Sequence, residues 1–398
     1  MTAIQDISDV TNGWVTPTVD ALRESVRMIG DDIEHRSEEL GVSRRVPDDL
    51  YETIARSGLF RQLVPREMGG VGATPAEWFA NGVELASRDA SVGWVVTQGA
   101  AEFGWIANGG DPAWAAEVLA DPLAASASTI AGHGTLTIDG DTGVLEGRWA
   151  FDTGCHGATW IGGQAAVLPV ADGEEPAYRF SWVPADRAEI LDDWNPTGLR
   201  GTGSNSIVIP EQTIPLTWTV STFDPTDNDR GPYRTMVGNG NWPIACSVAA
   251  VQLGASRRAL DETQLVLAQK IEPAGPLTHN SGIQVDFMEA EARWHAAHAL
   301  MERELASMWV HAEHDGELPG TQRVRINQAA TNANRTAVEV IQVITRLTGT
   351  ATVDPNHPLS RCSRDVLALQ GHIGTCRRSI EMAAEYQFGI RNTLLRLV

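Results

Sequence analysis

The sequence predicts an α+β protein in three parts: an N-terminal helical domain over residues 1–124, a central antiparallel β-domain over 125–225, and a C-terminal four-helix bundle over 226–398. Two observations support this prediction. Short runs of Val, Ile, Thr and Trp, broken by Gly, Asp and Pro, are confined to the middle of the chain. Long stretches with apolar residues at helical spacing stand on both sides of them.

The N-terminal part contains recognisable helix starts. Apolar residues recur at helical spacing over residues 18–40, and a short helix is predicted over 47–58. In "TPAEWFANGVELA", Thr74 and Glu77 form the pattern of a capping box, with proline at the first helical position. "DPAWAAEVLA" repeats the design with an aspartate as cap. The chain is therefore predicted to be helical up to about residue 120.

The middle of the chain has short apolar runs bounded by turn residues, a pattern typical of β-strands, as in "GTLTIDG", "VLEGRWAFDTG", "TWIGGQAAVLPV" and "NSIVIPEQTIP". No helical stretch lies between these runs to carry a crossover, so antiparallel pairing is predicted. Beyond them, long helices are predicted over residues 242–270, 283–314 and 322–347, with a further pair around His372. Their lengths suit a helix bundle.

Composition limits the function. Fifty-one acidic against 30 basic residues give a net charge of −21, which disfavours nucleic acid and anionic membranes as partners. No apolar run is long enough for a bilayer, and the N-terminus lacks the features of a signal peptide, so a cytoplasmic location is expected. The four cysteines are scattered without a CxxC pair, which indicates free thiols. These features predict a protein that acts on a small molecule.

Four stretches resemble, in the right order, the acyl-CoA dehydrogenase fold and, within it, the two-component (group D) flavin-dependent monooxygenases. The most specific is "DWNPTGLRGTGSNSIVI", which resembles the family's Trp-x-x-x-Gly-Met-Arg-Gly-Thr-Gly-Ser strand. "SGLFRQLVPREMGGVGATPAEW" and "GRWAFDTGCHGATW" resemble the segment between the first helices and the flavin-facing strand. "HPLSRCSRDVLALQGH" resembles the Pro-Leu-x-Arg-x-x-Arg-Asp…His ending of the monooxygenase branch.

The resemblance implies an oxygenase component like those of 4-hydroxyphenylacetate and phenol hydroxylases. Such a component takes reduced flavin from a separate NAD(P)H:flavin reductase and forms a C4a-hydroperoxide with O2. It then hydroxylates a small, aromatic substrate. By the same analogy, the protein is expected to be a homotetramer.

The resemblance also gives a role to His372, in a Gly-flanked turn. Acyl-CoA dehydrogenases commonly place a catalytic glutamate near this position, in Arg-Asp…Glu-Gly-Thr, and an imidazole does not replace that carboxylate base. An imidazole does donate a hydrogen bond to an oxygen-bearing flavin adduct, and it titrates near neutrality. We therefore expect His372 to assist formation or protonation of the hydroperoxide; the alternative is an exposed turn residue.

Further residues are expected at the flavin by resemblance. The turn after the flavin-facing strand presents backbone amides and the Thr153 hydroxyl to the pyrimidine edge and N5, with Asp152 pointing away. Lys270 stands where acyl-CoA dehydrogenases have an arginine that grips the FAD diphosphate of a neighbouring subunit. A single positive charge there favours reduced FMN, with FAD still possible. The expected flavin contacts are Phe151, Thr153, Gly154, Trp194, Thr202, Ser204, Lys270 and Gln284.

The predicted substrate contacts are Glu102, Trp105 and Trp78. In phenol-hydroxylating relatives a histidine about eight residues after a helical tryptophan binds the substrate hydroxyl, and counting from Trp94 gives Glu102. A carboxylate in an apolar pocket has a raised pKa and acts as a base, or it pairs with a cationic amine. The alternative is that Glu102 is an ordinary glutamate on the protein surface. The predicted catalytic residues are thus His372, Thr153 and Glu102.

Other functions stay open at this point. N- or S-oxygenation would use the same site, and an FAD-dependent acyl-CoA dehydrogenase or oxidase would share the fold. The missing Glu-Gly-Thr and the sequence "QKIEPAG" in place of Arg-x-x-Phe-Gly disfavour the dehydrogenase. A non-catalytic flavin-fold binding module is the least expected alternative. No metal site is predicted, because His295 and His298 on one helix face have no matching second helix.

Overall fold

The structure is a computed structural model that describes residues 16–169, 176–221, 231–236, 242–273 and 275–390. In these residues, helices come first, a sheet follows, and further helices close the chain, which confirms the predicted α+β order. No helix of the described chain combines the length and the apolar character needed to cross a bilayer.

Helix starts in the N-terminal part follow the capping signals. The helices are α1 (Val19–His35), α2 (Ser37–Ser43), α3 (Asp48–Arg56), α4 (Pro75–Arg88), α5 (Ala90–Gly109) and α6 (Pro112–Ala120). Thr74 and Glu77 form the predicted capping box at the start of α4. Asp89 caps α5 by accepting from two backbone amides. Because α5 is apolar on nearly every side, it is buried along almost its whole length.

The sheet is mainly antiparallel, with the spatial order β6-β7-β3-β2-β4-β5-β8 and β1 paired to β4. Its strands are β1 (Ser126–Thr129), β2 (Gly132–Asp139), β3 (Thr142–Asp152), β4 (Trp160–Leu168), β5 (Tyr178–Pro184), β6 (Glu189–Ile190), β7 (Asn205–Pro215) and β8 (Thr219–Ser221). The predicted antiparallel pairing holds for most of the sheet, and the exception is β4, which runs parallel to both β1 and β2. Both β2 and β4 run antiparallel to β3, and β4 pairs with the edge of β2 that faces away from β3. Strands β2 and β4 are therefore parallel, and no helical crossover is needed between them.

The α-helices described in the C-terminal part are α7 (Trp242–Gln269), α8 (Ser281–Asp315), α9 (Gly320–Thr348), α10 (Pro358–Leu369) and α11 (Arg377–Gln387). A short ladder of β9 (Ile271–Glu272) and β10 (Gly275–Pro276) joins α7 to α8. One continuous apolar core connects α1–α6 with α7–α10, whereas the sheet encloses a second core around Trp149. The two helical parts therefore pack as one body, and the sheet packs against it.

Candidate active site

A cavity of about 590 Å³ lies where the sheet meets α5 and the end of α10. Its wall is mostly apolar and aromatic. Trp105 stacks on Phe180 with ring centroids 5.0 Å apart at one side of it. The other aromatic and aliphatic lining residues include Trp94, Phe151, Trp194, Leu199, Ile244 and Leu369. Such a concave, apolar chamber with a few polar groups is typical of a small-molecule site.

The end of β3 is bent into the cavity. The pairing of β3 with β7 shifts register between Trp149 and Asp152, and Phe151 within this bulge has a φ of 61°. Bulges of this kind re-aim side chains, and a positive φ is costly for a bulky residue. Phe151 is 59% exposed and lies edge-on to Trp194, with ring centroids 6.0 Å apart. The bulge therefore holds an uncovered aromatic ring at the cavity wall.

Polar groups at the wall are joined to one another. Trp94 on α5 donates from Nε1 to Thr153 Oγ1 at 3.0 Å. Thr153 Oγ1 lies 2.9 Å from Ser204 Oγ, which lies 2.7 Å from Thr202 Oγ1. The structure thus brings the predicted residues Thr153, Thr202 and Ser204 together on one wall, and it adds Trp94.

His372 lies in the same wall, at the start of the turn after α10. Its Nδ1 accepts a hydrogen bond from the Gly374 amide at 3.2 Å, and its ring packs edge-on to Trp94 at 5.2 Å. Burial among these groups lowers the pKa of His372 to about 4, below the near-neutral range in which a free imidazole titrates. The ring is neutral at pH 7, and because Nδ1 accepts, Nε2 carries the hydrogen.

Gly154 supports the wall from behind and is absent from the cavity lining that the described residues form. Its φ of 76° favours glycine, and a Cβ there would approach Val95 Cγ1 at 3.3 Å and Tyr51 Oη at 3.4 Å. The residue lets the chain turn sharply between Thr153 and the next strand.

Glu102 is not at the cavity surface formed by the described residues, and its predicted contact with substrate is corrected here. Glu102 is 2% exposed, and its carboxyl group accepts a hydrogen bond from Ser126 Oγ at 3.1 Å. Burial and the nearby Asp152 raise its pKa well above the usual range. The apolar surroundings raise the pKa of Glu102 as expected. Its carboxyl group faces β1 instead of the cavity, because the rotation of α5 places position 102 on a different side of the helix.

Asp152 points away from the cavity, toward the same buried region. Burial raises its pKa well above the usual range, and its two carboxyl oxygens have no hydrogen-bond partner among the described residues. Glu102 and Asp152 therefore form a pair of buried acids behind the cavity wall. Two acids in one apolar region are most stable when they are uncharged.

Three other predicted contacts lie elsewhere. Trp78 is fully buried and packs edge-on to Trp242 at 6.0 Å, so its assignment to the substrate cavity is corrected to a core position. Lys270 donates to the Thr348 carbonyl at the far end of α7. Gln284 is exposed and donates to the Thr278 carbonyl at 2.7 Å. Neither of the last two lines the cavity of its own chain, and no group of His, Cys, Asp or Glu in the described residues is arranged to hold a metal ion.

Gln98 is a cavity residue that the sequence reading missed. It lines the chamber on α5, and its Nε2 atom is buried without a hydrogen-bond partner among the described residues. The signal was available, since Gln98 follows Trp94 by four residues and so shares its helix face.

Comparison with known proteins agrees with this architecture. The acyl-CoA dehydrogenase N-terminal domain matches residues 16–125, and the acyl-CoA dehydrogenase C-terminal domain matches residues 246–377. An indole-3-acetate monooxygenase of Pseudomonas putida is 26% identical over 364 residues, covering 89% of this chain and 89% of the relative. The FADH(2)-dependent resorcinol hydroxylase, oxygenase component, of Rhizobium sp. is 26% identical over 378 residues, covering 91% and 89%.

Solved structures share the fold. The complex of TdsC from Paenibacillus sp. A11-2 with FMN and indole superposes with a TM-score of 0.81 at 17% identity, covering 93% of this chain and 97% of that one. The two domain matches, the order of the motifs and the full-length relatives agree with one another. This chain belongs to the acyl-CoA dehydrogenase fold family, and its full-length relatives are named as a monooxygenase and as the oxygenase component of a hydroxylase.

Proposed function

We propose that the protein is the oxygenase component of a two-component flavin-dependent monooxygenase, which uses reduced flavin and O2 to hydroxylate a small aromatic substrate. The observation that carries this proposal is a neutral imidazole, His372, facing the same apolar cavity as the Thr153 hydroxyl. The names of the full-length relatives, monooxygenase and oxygenase component, support the same class of reaction.

The residues present fit a flavin ring system. A cavity of about 590 Å³ is large enough for a flat tricyclic ring, since small-molecule sites commonly range from about 300 to 1,000 Å³. The exposed ring of Phe151 offers an aromatic face that a planar ligand would cover. Residues that would hold the flavin are Phe151, Thr153, Trp194, Thr202 and Ser204.

Bound reduced flavin supplies two electrons to O2, so that one oxygen atom enters a substrate C–H bond as a hydroxyl group and the other leaves as water. The chain has to exclude bulk water and to place hydrogen-bond donors where negative charge develops on oxygen. His372 meets the second need, because its Nε2–H is free of the Gly374 bond that occupies Nδ1. The apolar wall meets the first need.

The substrate is expected at the α5 side of the chamber, where Trp105 stacks on Phe180 and Gln98 supplies a polar group. Stacked rings favour a flat aromatic substrate. The full-length relatives are named for indole-3-acetate and resorcinol, so carbon oxygenation of an aromatic ring is preferred over N- or S-oxygenation.

FMN is the preferred flavin because Lys270 offers one positive charge where the dehydrogenases have a diphosphate-gripping arginine. The TdsC complex holds FMN, whereas the Rhizobium relative is named FADH(2)-dependent, so both flavins belong in the test. Lys270 and Gln284 lie outside their own chain's cavity, and in this proposal they serve a neighbouring subunit within a homotetramer. A separate NAD(P)H:flavin reductase in the cytoplasm supplies the reduced cofactor.

The test is stopped-flow mixing of the protein and reduced FMN or FAD with oxygenated buffer, with free reduced flavin as the control. We expect an oxygenated flavin species that outlives the control and decays with slow release of hydrogen peroxide. Reoxidation at the rate of the free flavin would contradict the proposal. Bleaching of bound oxidised FAD by an acyl-CoA would instead support the dehydrogenase alternative.

A further inference from the structure

Three hydroxyl groups form a continuous chain along the cavity wall. Thr153 Oγ1 is 2.9 Å from Ser204 Oγ, and Ser204 Oγ is 2.7 Å from Thr202 Oγ1. All three residues are buried and all three line the cavity. The ends of the chain are fixed, because Trp94 Nε1 donates to Thr153 and the Thr202 hydroxyl donates to the Leu199 carbonyl at 3.0 Å.

These two end contacts fix the direction of every hydrogen bond along the three hydroxyl groups. A hydroxyl carries one hydrogen and a carbonyl oxygen only accepts, so Thr202 gives its hydrogen to Leu199. Ser204 must then donate to Thr202, and Thr153 must donate to Ser204. The reverse direction would remove one hydrogen bond from the Leu199 carbonyl and would turn the Thr153 hydrogen into the cavity. The direction that ends at Leu199 makes one more hydrogen bond within the protein than the reverse direction does.

We infer that Ser204 and Thr202 are positioning residues that make Thr153 present a lone pair, and no hydrogen, to the cavity. A ligand atom that binds Thr153 must then be a hydrogen-bond donor. This inference rests on the proposed function, in which Thr153 faces N5 of the flavin. That nitrogen carries a hydrogen in reduced flavin and is a bare acceptor in oxidised flavin, so the wall favours the reduced form.

The preference of the cavity wall for reduced over oxidised flavin has a functional consequence. An oxygenase that receives its flavin from another protein has to bind the reduced form and to release the oxidised form before the next turnover. An acceptor-only hydroxyl at this position serves both steps with one orientation, because it binds the N–H of the reduced flavin and offers nothing to the oxidised flavin. The discrimination is bounded by about one hydrogen bond, since an acceptor ligand can still reverse the chain at the cost of the Leu199 bond.

The test compares affinities for oxidised and reduced FMN, the latter measured anaerobically, in Thr202→Val and Ser204→Ala. Thr202→Val keeps the shape but removes the link to Leu199, so Ser204 becomes free to donate to Thr153, whose hydrogen turns to the cavity. We expect the preference for reduced FMN to fall roughly three- to tenfold in both variants. A tenfold fall corresponds to a midpoint potential about 30 mV lower for a two-electron couple.

Thr202→Ser keeps the hydroxyl and is expected to restore the wild-type preference. Thr129→Val is the matched control, because Thr129 lines the same cavity but accepts from the Ala131 amide instead of joining the chain. Unchanged preference and potential in folded Ser204→Ala or Thr202→Val would overturn the inference, even if the wild type forms a long-lived oxygenated species. Shifted preference in a protein that reoxidises flavin at the free rate would support the inference and contradict the oxygenase function.

Discussion

The backbone amide of Leu199 donates to the Asp365 carboxylate at 2.6 Å. This bond joins the turn that leads to Thr202 and Ser204 to helix α10, which leads to His372. A buried hydrogen bond therefore joins the two halves of the cavity wall, one from the sheet side and one from the C-terminal helices. Burial, with a contribution from the charge of Asp89, raises the pKa of Asp365 to about 7.

Replacing Asp365 tests this contact. Asp365→Ala leaves the buried Leu199 amide unpaired, and we expect it to lower the free energy of unfolding by about 1–3 kcal/mol and to weaken flavin binding. Asp365→Asn keeps an acceptor oxygen and is expected to retain both properties. Urea denaturation and flavin titration measure the two effects. Equal stability of the Ala and Asn variants at every pH would contradict the role of the bond.

The same carboxyl group gives a pH dependence of defined sign. Its pKa is about 7 in the folded protein, and an unfolded aspartate has a pKa of about 3.9. Between these values the folded state keeps a proton that the unfolded state has lost, so this group's contribution to stability is present below about pH 4 and is lost as the pH rises toward 7. Asp365→Asn should remove that part of the slope in denaturation curves recorded from pH 4 to 8.

Gly198 permits the close approach that the Leu199 contact needs. A Cβ at this position would lie 2.2 Å from the Arg364 carbonyl oxygen, and backbone cannot yield as a flexible side chain can. We expect Gly198→Ala to separate the turn from α10, to lower the melting temperature and to weaken flavin binding. Gly41→Ala is the control, because a Cβ there meets no atom within 4 Å. Matching melting temperatures for the two variants would refute this account.

His372 is expected to act as a neutral hydrogen-bond donor. Because burial lowers its pKa to about 4, the lifetime of the oxygenated flavin should be constant from about pH 5.5 to 8 as far as this residue controls it. His372→Ala should shorten that lifetime by roughly ten- to a hundredfold, since one well-placed donor is lost. Stopped-flow traces across this pH range measure both effects.

The control for His372 is Ile373→Val, a change at the neighbouring cavity residue that leaves the imidazole in place. A break in the lifetime near pH 6.5 would show that the ring titrates as in solvent and would contradict the role of His372 as a neutral donor. The same lowered pKa means that the folded state resists protonation. The contribution of His372 to the free energy of unfolding is therefore lost as the pH falls from about 6.5 toward 4.

Gln98 is expected to anchor the substrate through its Nε2 atom, which has no hydrogen-bond partner in the part of the chain that the structure describes. Gln98→Leu keeps a similar volume but removes the donor, so binding of a substrate with an oxygen acceptor should weaken by roughly three- to tenfold. Phenol and toluene are suitable probes, because only phenol has the acceptor. The ratio of their affinities, measured by quenching of tryptophan fluorescence, should fall in the variant, and an unchanged ratio would exclude the anchoring role.

Much of this architecture was predictable because it depends on local signals. The capping box at Thr74 and the motif around Thr202 each involve residues close in sequence, and they are found where the sequence indicates. The parallel pairing of β4 was not predictable, since it depends on which strand lies between β3 and β4 in the sheet. Spacing within one segment contains no information on that order.

The site residues divide in the same way. Thr153, Ser204 and His372 line the cavity because short motifs fix them at the ends of a strand and a helix. The substrate side depends on the rotation of α5, for which a helix advances about 100° per residue. An eight-residue count from Trp94 therefore gave Glu102, which faces Ser126, while Gln98 faces the chamber.

Glu102 is expected to be a neutral structural acid. Its carboxyl group is buried behind the wall with Asp152 nearby, and both effects raise its pKa well above the usual range. Glu102→Gln keeps the shape, the acceptor oxygen for Ser126 and the absence of charge. We therefore expect hydroxylation rates within about threefold of the wild type. A catalytic base at this position would instead lose activity by roughly a hundredfold or more in the same variant, with a bell-shaped pH profile flattened on its acidic side.

Stability gives a second readout for Glu102 that activity does not. A carboxyl group whose pKa is raised on folding binds its proton more tightly in the folded state, so its contribution to stability is lost as the pH rises above the unfolded value of about 4.3. Glu102→Gln should therefore be nearly as stable as the wild type at about pH 4 and progressively more stable than the wild type up to pH 8. Asp152→Asn serves as the companion variant, since its two oxygens lack partners in the described chain. A Glu102→Gln variant that is less stable at pH 8 than at pH 5, relative to the wild type, would mean that the carboxylate is ionised and bound to a cation.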